Sequence, residues 1–188
     1  GYASFRVKVL LNEPNKKFGL DVTATQSALA VFINGEKITT VGKPGINKAS
    51  SIPKVFPHVV RFTSQKDTLE IILHISNFHM EKGGVVGSFS LGTEENIQLE
   101  REKGITYDFF LFGSLLIMGL YHLGLFFLRR IDKSPFYFAL FCLLISLRTI
   151  VQGQVFLNVL FPKIPWDLVI RLDYFTFFIA VPVFLLFV

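Results

Sequence analysis

In residues 107–128, Asp108 and His122 are the only strongly polar side chains. About 20 consecutive apolar residues in a helix cross a hydrocarbon core of roughly 30 Å. A helix in a water-soluble core seldom stays apolar on every face for that long. The chain is therefore expected to enter a membrane here. Two further apolar runs follow, at about 136–157 and 168–188. They are set apart by a turn at 129–135 and by Phe161-Pro162-Lys163-Ile164-Pro165-Trp166-Asp167. Trp166 suits a membrane–water interface. Residues 104–188 are thus expected to be an α-helical transmembrane bundle of about three helices.

Residues 1–103 differ in character. Residues 1–106 carry 13 Lys/Arg and 10 Asp/Glu, against 6 and 4 in 107–188, where most of the 22 Phe lie. Phe5-Arg6-Val7-Lys8-Val9 alternates apolar with polar, and so do Leu69-Glu70-Ile71 and Leu73-His74-Ile75-Ser76. A period of two with β-branched and aromatic residues marks half-buried strands. The runs 28–33 and 36–41 flank Asn34-Gly35, the pair favoured in a type I′ hairpin turn, which needs positive φ at both central residues. Lys43-Pro44-Gly45 fits a type II turn with Gly45 at positive φ. Pro53 and Pro57 bracket a loop before a strand at 59–63. Gly83, Gly84 and Gly87 loosen the approach to a strand at 88–91, which Gly92 is expected to end. About seven short strands at this spacing imply an all-β sandwich or jelly roll.

The net charge of +5 is not a nucleic-acid signal, because the first domain has no basic run. Arg129, Arg130 and Lys133 cluster between two spans, as the positive-inside bias places them. The 129–135 loop is therefore expected in the cytoplasm, and residues 1–103 outside the cell or in the periplasm. Cys142 is the single cysteine; in an apolar stretch it reads as a small buried hydrophobe, and no disulfide framework is expected. Residues 1–11 lack the features of a signal peptide and an initiator Met, and Val188 falls inside an apolar run. More chain is expected on both sides.

The sequence resembles the bacterial seven-transmembrane receptors with diverse intracellular signalling modules. In the first domain the resemblance rests on Val31-Phe32-Ile33-Asn34-Gly35 with Val41-Gly42, on Leu69-Glu70-Ile71 and Ile75-Ser76-Asn77, and on Gly83-Gly84 and Leu91-Gly92. In the membrane part it rests on Phe112-Gly113-Ser114-Leu115-Leu116-Ile117-Met118-Gly119-Leu120-Tyr121-His122, on Ser134-Pro135-Phe136-Tyr137 and on Leu147-Arg148. The resemblance implies a sugar-binding-like extracellular jelly roll, a seven-helix membrane domain in the bacterial inner membrane, and a cytoplasmic output module that lies outside these residues.

Candidate functional residues follow from chemistry. A sugar site needs an aromatic platform ringed by amide, carboxylate or basic groups. Phe56 and His58 offer these types in one loop, and Asn77, Phe78, His79, Glu81 and Lys82 in another; Phe56 and Phe78 could equally be core plugs beneath long loops. His58, His74 and His79 do not have metal-ligand spacing, and no nucleophile–base arrangement or phosphate-cradling loop stands out. No metal, no cofactor and no catalysis are expected. Ionisable groups inside spans are costly and mark function, which singles out His122, Arg148 and Asp173. Arg148 lies roughly 18 Å into an outward-running helix and Asp173 roughly 9 Å into an inward-running one. In a core of about 30 Å their depths nearly match, so the two are expected to meet.

The leading reading is a receptor fragment that relays an extracellular or periplasmic ligand, a carbohydrate or other small molecule, to an output module. The alternative is a membrane-anchored carbohydrate-binding or transport-associated protein without output. The lipid bilayer and a second copy of the chain are the other partners considered.

Overall fold

The computed structural model describes residues 1–23, 25, 27–81, 88–152, 157, 161 and 164–188. They divide into two compact units, Gly1–Arg101 and Glu102–Val188.

The first unit is a sandwich of two antiparallel sheets. Its strands among the described residues are β1 (Tyr2–Leu10), β2 (Lys17–Val22), β3 (Ala28–Ile33), β4 (Glu36–Val41), β5 (His58–Thr63), β6 (Thr68–Ser76) and β7 (Ser90–Thr93). One sheet has the order β1-β6-β3-β4 and the other β5-β2-β7. Alternation puts Leu69, Ile71 and Ile75 of β6 on one face, where they meet Leu29, Val31 and Ile33 of β3, Leu20 and Val22 of β2, and Val60 of β5. Leu20, Leu29, Val31 and Leu69 are at most 2% exposed, so this is a sealed core. Asn34 and Gly35 have φ of 50° and 86°, the two positive values that a type I′ turn requires.

The structure corrects two local expectations. Gly45 does not take positive φ; Gly42 does, at 67°. The reason is tertiary. Residue 43 pairs with Ile52 as an isolated antiparallel bridge, and a Cβ on Gly42 would lie 2.2 Å from the Ile52 carbonyl oxygen. Gly92 does not end its strand. It lies inside β7, paired with Gly19 of β2. Together the two glycines open a slot for Ile97, whose Cβ would sit 3.0 Å from a Cβ on Gly19. Ile97 is 4% exposed.

Ile97 belongs to α1 (Glu94–Leu128), so the charged stretch after β7 is already helical. Within the first unit, α1 covers the outer face of β2. Arg61 of β5 forms an ion pair with Glu94 at 3.1 Å and donates to Gln98 Oε1 at 3.3 Å.

The second unit holds the rest of α1, together with α2 (Ser134–Gln152) and α3 (Trp166–Phe187). All three helices are long and apolar enough to cross a membrane. Leu144 of α2 packs with Ala180 and Val183 of α3. Gly119 of α1 lets that helix approach α2, since a Cβ there would meet Leu143 at 3.0 Å; Gly113 and Gly124 face open space. The expected second span runs on past Gln152 and there leaves the described residues, as does the loop around Lys163.

Candidate functional site

The register gathers several loops at one end of the sandwich. Ser76 of β6 pairs with Ala28 at the start of β3, Val41 at the end of β4 pairs with Leu29, and His58 at the start of β5 pairs with Val22 at the end of β2. The loops that carry Phe56 and Asn77 therefore emerge at the same end.

Two of the candidate sugar-site residues are committed to the fold. The two His58 ring nitrogens lie 2.8 Å from Thr39 Oγ1 and 3.0 Å from the Phe56 carbonyl oxygen. Thr39 is on the opposite sheet, so His58 ties the two sheets together. The Asn77 amide donates to the Met80 carbonyl at 2.7 Å and accepts from the backbone N–H groups of His79 and Met80. This is a side chain holding its own turn. Phe56 is 38% exposed, with Lys54 Nζ 5.1 Å from its ring centroid. Phe78 is half-buried, and His79 and Glu81 are exposed. Lys82 lies outside the described residues, as do Gly83, Gly84 and Gly87. Among the described residues no group of three or more His, Cys, Asp or Glu could hold a metal ion.

Residue types alone did not reveal a second cluster. Asp21 points out of β2 toward α1, where Arg101 Nη1 lies 3.6 Å from its carboxylate. Arg101 Nη2 donates to the Pro57 carbonyl at 2.9 Å. Burial raises the Asp21 pKa from its ordinary value of 3.8; Arg101 and His58 pull it down and Glu100 pushes it up. The sequence signal for this cluster is the Phe18-Gly19-Leu20-Asp21-Val22 alternation, which puts Asp21 on the face of β2 away from the core.

The raised value has a consequence for stability. The folded carboxyl holds its proton more tightly than the unfolded one, so ionising it in place costs folding free energy. That cost is absent below pH 3.8 and fully present above the raised folded value. The stability of the natural chain relative to Asp21→Asn should therefore fall as pH rises through this window and then level off. Midpoints of β-sheet loss by circular dichroism in detergent check this. A difference that grows in favour of the natural chain with rising pH would contradict it.

In the second unit the structure brings Arg148 and Asp173 together. Arg148 Nη1 lies 3.0 Å from Asp173 Oδ1 and donates to the Asp173 backbone carbonyl at 2.9 Å. That carbonyl also accepts from Thr176 Oγ1 at 3.0 Å. The guanidinium carbon lies 5.0 Å from the Phe177 ring centroid, a cation–π arrangement. One α2 side chain is thus held by the charge, the backbone and an aromatic face of α3. Arg148 also lines an open apolar groove of about 380 Å³ with Phe141, Ile145, Val181 and Phe184. His122 of α1 is apart from this pair. Its Nδ1 lies 3.0 Å from the Met118 carbonyl, and its ring is edge-on to Phe138 of α2 at 4.5 Å.

Three long apolar helices, cross-linked by a charged pair, match a known membrane family. Residues 105–188 match the family model described as 7TM diverse intracellular signalling. The helical unit is similar to that family over these residues. The match to this 7TM signalling family begins inside α1, after the sandwich, and takes in Arg148, Asp173 and His122. No curated protein matches the chain.

Proposed function

We propose that the chain is the sensing and membrane portion of a bacterial receptor. The sandwich faces the periplasm or the cell exterior, the 129–135 loop faces the cytoplasm, and the protein resides in the inner membrane. The observation that carries this reading is the match of the helical unit to the 7TM signalling family, joined in one chain to a β-sandwich. A ligand acts on such a device only through unequal affinity for two arrangements of the protein. Residues 1–188 are proposed to bind and relay rather than to catalyse. The direct test is the reading frame beyond Val188. It should encode further spans and then a signalling module; a stop codon just after the third span would favour the anchored binding protein without output.

A carbohydrate is the proposed ligand class, and the loops at the shared end of the sandwich are its proposed site. Phe78 supplies an aromatic surface and His79 a polar group beside it. His58 and Asn77, at the same end, also hold the fold through their own hydrogen bonds. Replacing Phe78 and His79 together by Ala should weaken glycan binding on an array while leaving the β-sheet spectrum intact. Loss of the spectrum would make Phe78 a core plug instead.

A further inference from the structure

The loop between β4 and β5 holds two isoleucines in water on a rigid frame. Ile46 is 71% exposed and Ile52 57%. The frame comes from several contacts. The backbones of Lys43 and Ile52 exchange hydrogen bonds at 2.8 and 2.9 Å. Ser50 N donates to Asn47 Oδ1 at 2.8 Å. Ser51 Oγ lies 2.8 Å from Ser76 Oγ on β6, and Gly45 N donates to the same Ser76 oxygen. Gly42 and Gly45 are needed because a Cβ on either would meet backbone across the loop at 2.2 and 2.6 Å. Water around a large apolar side chain is unfavourable, and a free loop would fold such side chains inward. This frame holds them out.

The charge on the same loop is one-sided. Residues 42–57 contain Lys43, Lys48 and Lys54 and no Asp or Glu, and all three lysines are exposed. Apolar side chains interleaved with lysines suit a surface that is apolar below and anionic above. The chain itself supplies proximity to one. Arg101 holds the carbonyl of Pro57 at the loop's end, and the apolar run begins six residues later at Tyr107. A fully extended backbone spans about 3.3–3.6 Å per residue. Six residues and an arginine side chain therefore keep Pro57 within roughly 30 Å of the membrane interface whatever the backbone conformation between them.

We propose that the 42–57 loop docks on the bilayer surface, with Ile46 and Ile52 entering the headgroup–acyl boundary and Lys43, Lys48 and Lys54 meeting anionic headgroups. Basic residues near an anionic leaflet attract it, and apolar side chains anchor at the boundary. The docking loop lies at the same end of the sandwich as the proposed ligand loops, and its docking does not rest on the carbohydrate reading.

The test uses the full chain with Cys142→Ala, single cysteines at Ile46, Ile52 or Lys37, and an NBD fluorophore on each. The variants are reconstituted into nanodiscs of phosphatidylcholine alone or mixed with phosphatidylglycerol. Lys37 lies beside the Asn34-Gly35 turn at the other end of the sheet. Labels at 46 and 52 should shift to the blue and be quenched by lipids brominated on the acyl chain, more strongly with phosphatidylglycerol. The label at 37 should behave as in water. Replacing all three lysines by Gln should remove the dependence on phosphatidylglycerol. Three results would overturn the proposal. One is water-like, unquenched emission at 46 and 52 in both lipids. Another is a blue shift without bromolipid quenching that needs two copies per disc, which would assign the loop to a second copy of the chain. The third is a blue shift without quenching on adding dextran sulfate, which would assign it to a soluble polyanion.

Discussion

Replacing Arg148 by Leu should destabilise the helical unit by about 3 kcal/mol, the usual cost of leaving one member of a buried ion pair without its partner. The Arg148 and Asp173 side chains are 22% and 17% exposed, so water does little to screen what remains. The cost should be unequal between partners. Without Arg148, the Asp173 carboxylate loses the cation that pairs with it among the described residues. Without Asp173, as in Asp173→Asn, Arg148 keeps its bond to the residue-173 backbone carbonyl and its place over Phe177. Asp173→Asn should therefore be the milder change. The double exchange, Arg148→Asp with Asp173→Arg, should recover part of the loss of each single exchange. The aromatic and backbone contacts are not symmetric, so the recovery should be incomplete. Folded yield and thermal midpoint in detergent report all of these. Additive losses in the double exchange would mean that charge does not couple the helices.

Gly42→Val should cost the sandwich about 3 kcal/mol or more. A β-branched residue at positive φ is a true outlier, and left-handed backbone costs an L-residue roughly 1–2 kcal/mol before any clash. At Gly42 the clash is with backbone, 2.2 Å from the Ile52 carbonyl oxygen, so no rotamer relieves it. Gly35→Ala is the internal control. Gly35 also has positive φ, at 86°, but a Cβ there meets nothing within 4 Å. It should lose only the conformational part, about 1–2 kcal/mol. Equal losses at the two positions, followed by β-sheet circular dichroism during denaturation, would show that the 42–57 loop is not held as tightly as its contacts indicate.

Gly35 and Gly42 also show which parts of this fold were legible in the sequence. The Asn34-Gly35 turn is a local device, and two adjacent residue types suffice to announce it. The conformation of Gly42 is set by Ile52, ten residues away, and proline-glycine chemistry pointed instead to Gly45. Ile97 is one of two apolar residues in the charged stretch 94–103, without meaning until Gly19 and Gly92 pair opposite it. His58 and Asn77 carry the residue types of a sugar site, but the same atoms bridge sheets and close turns. Chemistry alone does not separate these uses. Arg148 and Asp173 were easier. Helical rise and membrane thickness fix depth along a span from residue number alone, and a membrane tolerates few other partners for a charge. The Asp21–Arg101 contact was hidden because it depends on α1 starting at Glu94 and folding back over β2.

Which side of the membrane each loop occupies decides the account most directly. In a Cys142→Ala background, single cysteines at Lys37 in the sandwich, at Ser134 between α1 and α2, and at Ile164 before α3 can be challenged with a membrane-impermeant maleimide. The cells are treated intact, with the outer envelope opened to the reagent. Cysteines at 37 and 164 should react, and the one at 134 should react only after the inner membrane is broken. Labelling at 134 in intact cells, with protection at 37 and 164, would contradict a receptor whose sandwich samples the outside.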